Sequence, residues 1–154
     1  MNRMGTSADG KATTIKKLFS RQTTVVIDIA APPERIWKLL TDASRFASWN
    51  STIVELTGKI AQGEKIKLRS KLAPGRTFKL TVKDFQPHQR LTWGDAMGTR
   101  VYTLTANAEG STRFTMSEKI GGPIFPLFAR MIPSFDESFN QFAADLKLAA
   151  EEKV

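Results

Sequence analysis

Residues 25–42 read VVIDIAAPPERIWKLLTD, and Trp49-Asn50 follow a few residues later. Apolar and polar positions alternate over 22–29, which predicts a strand with one apolar face formed by Val25, Ile27 and Ile29. Pro32-Pro33 ends this strand and begins a helix, because the first helical N–H groups need no partner within the helix. The stretch therefore predicts a strand that passes through a tight turn into a helix.

The predicted helix is short and amphipathic. Glu34 lies in its first turn, where a negative charge suits the helix dipole. An apolar stripe follows at helical spacing, formed by Ile36, Trp37, Leu39 and Leu40. Asp42 is placed to begin a second short helix through Ala47, which would carry Phe46 inward.

Six further strands are predicted after the helices, over 51–57, 64–72, 76–85, 90–94, 99–106 and 112–120. The clearest alternation sets Ile66, Leu68, Ser70 and Leu72 against Lys65, Lys67, Arg69 and Lys71. No helix interrupts this run of strands, which excludes a parallel sheet built from crossover units. The sequence predicts an antiparallel sheet.

The chain ends in a helical pattern of large apolar residues. They recur at spacings of three or four: Phe125, Phe128, Met131, Ile132, Phe135, Phe139, Phe142 and Leu146. Pro133 falls inside this pattern and should kink the helix or split off its first turns. A stripe this rich in aromatic rings needs a broad apolar partner, and the concave face of the sheet is the one available.

Taken in order, these elements resemble the polyketide cyclase/dehydrase and lipid-transport superfamily (SRPBCC), which includes START and birch-pollen-allergen domains. The resemblance covers about 23–151 and rests on these features: the strand-Pro-Pro-Glu-Arg-Ile-Trp opening, Thr41-Asp42, Trp49-Asn50, Gly63, Pro87 before Leu91-Thr92-Trp93, Glu118, and Gly122-Pro123. It implies an α+β helix-grip fold. A curved antiparallel sheet of about seven strands would wrap around a long C-terminal helix, with a ligand cavity between them.

Length and composition fit this expectation. The 154 residues suit one domain, expected over 21–154 behind a flexible N-terminal tail over 1–20. The absence of cysteine excludes disulfides and thiol chemistry, and it fits a cytoplasmic location. No apolar run is long enough to span a membrane. We expect no metal and no cofactor, because His88 is the single histidine and lies in a predicted turn.

The resemblance implies a cavity lined by large, soft side chains that point inward. The residues expected there are Trp49, Phe78, Trp93, Tyr102, Phe114, Met116, Glu118, Phe128, Met131, Phe135 and Phe139. Trp49, the short helices and the loop 94–98 would flank its mouth. Each side chain taken singly is more often ordinary core.

Glu118 is the most informative polar residue, because the alternation places it on the same face as Phe114 and Met116. A buried carboxylate must be paired or protonated. It could orient a ligand, act as an acid or base together with Tyr102, or form a salt bridge to a nearby Arg or Lys. The salt bridge is the most common of these outcomes.

Basic side chains dominate the other face of the sheet, and the formal net charge is +8. The predicted convex face carries Lys65, Lys67, Arg69, Lys71, Lys79 and Lys83. Solubility and protection of the sheet edge explain such a face most simply. Contact with an anionic membrane comes second. Nucleic acid comes last, because no aromatic side chains interleave these lysines for base stacking.

Three functions follow, in order of preference. The first is binding, and with it transport or sequestration, of a hydrophobic or amphipathic small molecule such as a lipid. The second is a cyclase or dehydratase that acts on an aromatic or polyketide-like substrate with Glu118 as acid or base. The third is a protein-interaction module that uses the basic convex face.

Overall fold

A computed structural model describes residues 8–152 and contains one antiparallel sheet of eight strands. The strands are β1 (Thr13–Lys16), β2 (Ser20–Ile29), β3 (Ile53–Gly58), β4 (Lys65–Ser70), β5 (Phe78–Gln86), β6 (Arg90–Gly94), β7 (Gly98–Ala106) and β8 (Thr112–Gly121). Their order across the sheet is β1-β2-β8-β7-β6-β5-β4-β3. The α+β architecture and the antiparallel sheet confirm the predicted fold class, with one strand more than the predicted seven.

The additional strand corrects the predicted N-terminal tail. Residues 1–20 were expected to be flexible, but β1 pairs with β2 from Thr13↔Thr24 to Lys16↔Arg21. The Thr14 hydroxyl also donates to Asp136 Oδ1 at 2.5 Å, which ties this strand to the C-terminal helix. The polar residues of β1 concealed it, because an edge strand needs little apolar burial. Residues 1–7 of the predicted tail, and 153–154 at the other terminus, lie outside the described residues.

Within residues 8–152, four α-helices accompany the sheet: α1 (Pro33–Thr41), α2 (Ala43–Trp49), α3 (Phe125–Phe128) and α4 (Asp136–Glu151). The predicted pair of short helices is present, and Phe46 is fully buried as expected. The C-terminal pattern is split in two, because α3 and a 3₁₀ turn (Ala129–Met131) precede Pro133 and α4 follows it. Pro133 thus separates the first turns from the long helix, as its missing backbone donor predicts.

The core lies between α4 and the concave face of the sheet. Phe139, Phe142 and Leu146 recur along one side of α4 and are essentially inaccessible to solvent. The ring of Phe142 stacks on Phe114 with centroids 6.1 Å apart and on Tyr102 at 5.7 Å. This aromatic cluster fastens the helix to the centre of the sheet.

The two ends of the sheet differ in what they carry. One end holds the loops 17–19, 71–77 and 95–97 and the segment 122–135, and we call it the Met97 end. The other end holds the loops 59–64 and 87–89. Helix α4 begins at the Met97 end and reaches the other end at Glu151, whose Oε2 accepts a hydrogen bond from the Ala30 amide at 2.7 Å.

We predict that Phe142→Ala destabilises the protein by about 3–5 kcal/mol, because it removes a buried ring that contacts four other aromatic rings and leaves a cavity among them. Chemical denaturation monitored by far-UV circular dichroism measures this change. Leu148→Ala is the matched control on the same helix, since Leu148 is 74% exposed and should cost under about 0.5 kcal/mol. Equal effects of the two substitutions would show that α4 does not form the core.

Candidate functional site

A cavity of about 610 Å³ lies at the Met97 end, between the concave sheet face and the segment 128–138. Strands β4 to β8 form its floor and walls. The loops around Leu72 and Met97 form part of its rim, and the residues between α3 and α4 cover it. Much of the lining is apolar, including Leu68, Phe78, Leu80, Trp93, Ile120 and Phe135.

Contacts from β2 hold the cover in place. The Arg21 guanidinium donates to the Ile132 and Pro133 carbonyl oxygens at 3.3 and 3.0 Å. Its carbon also lies 5.6 Å from the centre of the Phe135 ring. These hydrogen bonds attach the segment before α4 to β2, and this segment covers the cavity.

Six of the predicted cavity residues do line the cavity: Phe78, Trp93, Glu118, Phe128, Met131 and Phe135. The expectation fails for five others, Trp49, Tyr102, Phe114, Met116 and Phe139, which do not line it. Four of these five are nearly inaccessible to solvent. The physical reason is that α4 packs against only part of the concave face. The cavity lies over the remaining part, at the Met97 end, where the N-terminus of α4 begins.

Trp49 is the fifth, and its position corrects the predicted mouth. Its indole Nε1 donates to the Leu39 carbonyl oxygen at 3.2 Å. The centre of its ring lies 5.1 Å from that of the Phe46 ring and 5.5 Å from that of the Phe142 ring. The ring therefore joins α2 to α4 within the core. The loop 94–98 does line the cavity, as expected.

Glu118 lies in the cavity wall and forms an ion pair with Arg100, its direct partner across β7 and β8. Arg100 Nε donates to Glu118 Oε1 at 2.6 Å, and the two side chains are 17% and 19% exposed. The salt bridge expected for Glu118 is thus present. It joins β7 and β8, which are both interior strands of the sheet.

The Arg100 guanidinium faces aromatic rings on its other side. Its carbon lies 5.0 Å from the centre of the Phe139 ring and 5.9 Å from that of Phe142, within cation–π range. Burial disfavours the charged guanidinium, but interactions with Glu118 and Tyr102 together outweigh it, so the pKa of Arg100 is raised above its ordinary value. The cavity therefore contains a permanent positive charge beside a carboxylate.

Tyr102 lies next to this pair in the core. Burial raises the pKa of its phenol to about 12, although the nearby Arg100 charge favours the phenolate. Its hydroxyl is buried, and the polar group beside it is the Arg100 guanidinium. Because Tyr102 does not line the cavity and holds its proton tightly, the geometry gives little support to its predicted role as an acid or base.

The remaining predicted sites lie elsewhere. His88 is exposed in a turn at the opposite end of the sheet, 6.3 Å from the Trp37 ring. No group of three or more possible metal ligands occurs in the part of the chain that the structure describes. On the convex face, Lys67 and Lys79 are direct neighbours on β4 and β5, and Arg69 pairs with Glu55 at 3.3 Å.

Sequence reasoning missed Arg100 and the loop around Leu72 and Arg76. The signal for Arg100 was present, because Arg100, Tyr102 and Leu104 alternate on one strand and must share the inward face. The loop offered no such pattern. Its contribution depends on how the hairpin between β4 and β5 bends over the end of the sheet.

Comparisons with known proteins agree with this architecture. Residues 20–151 match the family model described as polyketide cyclase / dehydrase and lipid transport. No curated protein matches the chain. Within the described part of the chain, none of the helices has the length and apolar character needed to cross a bilayer.

Several solved structures share the fold at low sequence identity. The conserved protein of unknown function EF2215 from Enterococcus faecalis is 17% identical with a TM-score of 0.68, over 94% of this chain and 79% of that protein. A START superfamily protein from Mycobacterium smegmatis is 15% identical with a TM-score of 0.63, over 84% and 97%. The di-domain ARO/CYC BexL is 13% identical with a TM-score of 0.68, over 90% of this chain and 52% of BexL. At these identities the likeness establishes the fold alone.

We predict that Arg100→Met and Glu118→Leu each destabilise the protein by about 3 kcal/mol, because each leaves an unpaired charge in a largely buried position. The double variant should lose at least about 1 kcal/mol less than the sum of the two. Chemical denaturation of the wild type, the two single variants and the double variant measures the coupling free energy between Arg100 and Glu118. The exposed pair Arg69–Glu55 is the control, with an expected coupling under about 0.5 kcal/mol. Additive losses at Arg100 and Glu118 would contradict the pairing.

Proposed function

Because the chain belongs to the polyketide cyclase/dehydrase and lipid transport family, we propose that it binds a hydrophobic or amphipathic small molecule in the cavity at the Met97 end. The observation that carries this proposal is the hollow itself, about 610 Å³ of space with largely apolar walls. Ligand pockets for small molecules commonly have about 300–1,000 Å³ of space. Apolar burial would supply most of the affinity, at about 25 cal/mol per Å².

The Arg100–Glu118 pair supports a further detail, that the ligand has a polar head. Arg100 uses Nε for Glu118 and also interacts with the Tyr102 hydroxyl, so the Nη hydrogens that these two groups leave over can donate to an oxygen of the ligand. Glu118 Oε2 lies toward Gly98 and can accept from a hydroxyl group. A ligand with a hydroxyl, carbonyl or carboxyl group at one end would satisfy both side chains and fix its orientation.

The enzyme alternative has one observation in its favour, which is that this same polar pair lies in an apolar cavity. Glu118 Oε1 already accepts a hydrogen bond from Arg100 Nε at 2.6 Å, so an acid or base role would have to use its other carboxyl oxygen. Tyr102, the second predicted catalytic group, is outside the lining. Binding without turnover therefore accounts for more of the geometry.

We predict that Gly98→Leu abolishes ligand binding. A Cβ at Gly98 would lie 3.6 Å from Ile120 and 3.7 Å from Glu118 Oε2, which is ordinary contact on the concave face. The larger side chain would therefore extend into the cavity. Gly75→Leu is the matched control, because a Cβ there meets nothing within 4 Å.

Native mass spectrometry of freshly purified protein should detect a co-purifying small molecule in the wild type and in Gly75→Leu, and none in Gly98→Leu. Titration with fatty acids, quinones and aromatic polyketides, followed by tryptophan fluorescence, should report through Trp93 in the wall. If no compound quenches this fluorescence or raises the melting temperature, the binding proposal is wrong.

Glu118→Gln separates binding from catalysis. The amide oxygen can still accept from Arg100 Nε, so we expect the variant to fold and to bind its ligand within about tenfold of the wild type. Incubation of both proteins with a bound polyketide, followed by mass spectrometry of the small molecule, should show no conversion by either. Conversion by the wild type that Glu118→Gln abolishes would establish the enzyme alternative.

A further inference from the structure

Exposed apolar side chains gather at the Met97 end. Seven large ones lie on its loops and cover segment: Leu18, Phe19, Leu72, Met97, Ile124, Leu127 and Met131, with exposed fractions from 41% to 84%. Backbone bonds hold these loops together, since Gly121 donates to the Met97 carbonyl oxygen at 3.0 Å and Gly122 to that of Phe19 at 3.1 Å. An apolar concentration at one end of a protein indicates an interaction surface.

The segment 122–135 carries much of this surface. Its sequence is GPIFPLFARMIPSF, in which Arg130 is the single charged residue. Phe125 points into the protein and is 3% exposed, whereas Leu127 and Met131 are 84% and 81% exposed. A segment that is apolar on both faces is normally covered on both. Here the inner face covers the cavity, and the outer face is exposed.

Cations surround the apolar residues. The exposed side chains of Lys16, Lys17, Lys71, Arg76, Lys119 and Arg130 lie on the same loops and strand ends. None of the ion pairs found within residues 8–152 includes any of these six. The acidic residues at this end are fewer, and two of them are engaged: Asp95 accepts from the Met97 amide and Asp136 accepts from Thr14. This end is therefore both apolar and positively charged.

We propose that the Met97 end docks on the surface of an anionic lipid bilayer. Ile124, Leu127 and Met131 would enter the region between headgroups and acyl chains, and the surrounding cations would pair with lipid phosphates. A second copy of the chain fits this surface less well, because a symmetric contact would bring the two sets of cations together. This proposal does not depend on the ligand in the cavity.

The proposal differs from membrane contact through the convex face. That face has lysines on adjacent strands, but none of the large exposed apolar side chains found in the described residues lies on the outer side of β4 or β5. Charge alone attracts a protein to a headgroup layer without anchoring it. The Met97 end combines both signals, and stable membrane attachment generally needs two.

Cosedimentation with vesicles tests the proposal. We expect the wild type to bind phosphatidylcholine vesicles that contain about 30% phosphatidylglycerol, and to bind pure phosphatidylcholine weakly. Raising the salt concentration should reduce the binding to anionic vesicles, because their attraction to the cations is screened.

Paired variants locate the surface. Leu127→Asp should weaken partitioning at least about tenfold, because it removes an inserting side chain and adds a repelling charge. Leu148→Asp is the control, with a similarly exposed leucine near the far end of α4, and it should bind as the wild type does. Lys17→Gln and Arg130→Gln should each weaken binding about fivefold, whereas Lys67→Gln and Lys79→Gln should change it by about twofold or less.

Three outcomes would overturn the proposal. One is a wild type that binds no anionic vesicle. Another is loss of vesicle binding on Lys67→Gln and Lys79→Gln with Leu127→Asp unaffected, which would place the contact on the convex face. The last is a wild-type dimer in solution that Leu127→Asp converts to a monomer, which would assign the surface to self-association. Equal circular dichroism spectra for Leu127→Asp and the wild type exclude misfolding as the cause, since Leu127 is 84% exposed.

Discussion

The packing of α4 against the concave face is the interaction on which the rest of the structure depends. Pro133 keeps this packing incomplete, because a regular helix cannot continue through a proline toward 125–131, and α4 begins at Asp136. Phe139, Phe142 and Leu146 fill the space beneath the helix. The residues that precede α4 cross the sheet as the short helix α3 and a 3₁₀ turn, and these cover the concave face without filling it. The cavity lies under the residues before Pro133, which are not part of the long helix.

The ion pair lies at the boundary between the filled and the hollow halves. Arg100 touches the rings of Phe139 and Phe142 on the packed side and lines the cavity on the other. A pair of charges taken out of water seldom adds stability compared with apolar residues of the same size. Its position in the wall of a largely apolar cavity suits a role in orienting a bound molecule. When no ligand is bound, the two charged side chains satisfy each other through the bond from Arg100 Nε to Glu118 Oε1.

The sequence predicted most of the fold because its patterns are local. Strand alternation in 64–72, the Pro-Pro turn and the break at Pro133 each depend on a few neighbouring residues. The edge strand β1 was missed because its residues are polar and its stability comes from backbone pairing with β2. The inward face of the sheet was also predictable, as Glu118 and Trp93 show.

The boundary of the cavity was not predictable from the same patterns. Phe114 and Met116 face inward just as Glu118 and Ile120 do, and only the start of α4 decides which of them meet a helix and which meet open space. Arg100 could have been recognised from its alternation with Tyr102. Leu72 continues the alternation of 64–72 but lies in the loop after β4, and Trp49 ends α2, where its contact with α4 depends on tertiary packing. Sequence thus determines which side of the sheet a residue faces, and the tertiary position of α4 determines whether that side is core or cavity.

The Arg100–Glu118 pair lies inside the cavity, and both apolar and charged side chains, such as Met97 and Arg76, border the mouth of the cavity. Leu72, Met97 and Met131 line it and are at least 41% exposed, so its mouth lies at the Met97 end. An amphipathic molecule that enters head first would reach Arg100 and Glu118 with its apolar part still in contact with the rim. If that rim lies against a bilayer, the apolar part need not cross water at any stage. Arg100 would then bind the polar head of the ligand as it leaves the headgroup layer. A hydrogen bond from a guanidinium is stronger in a largely buried cavity than in water.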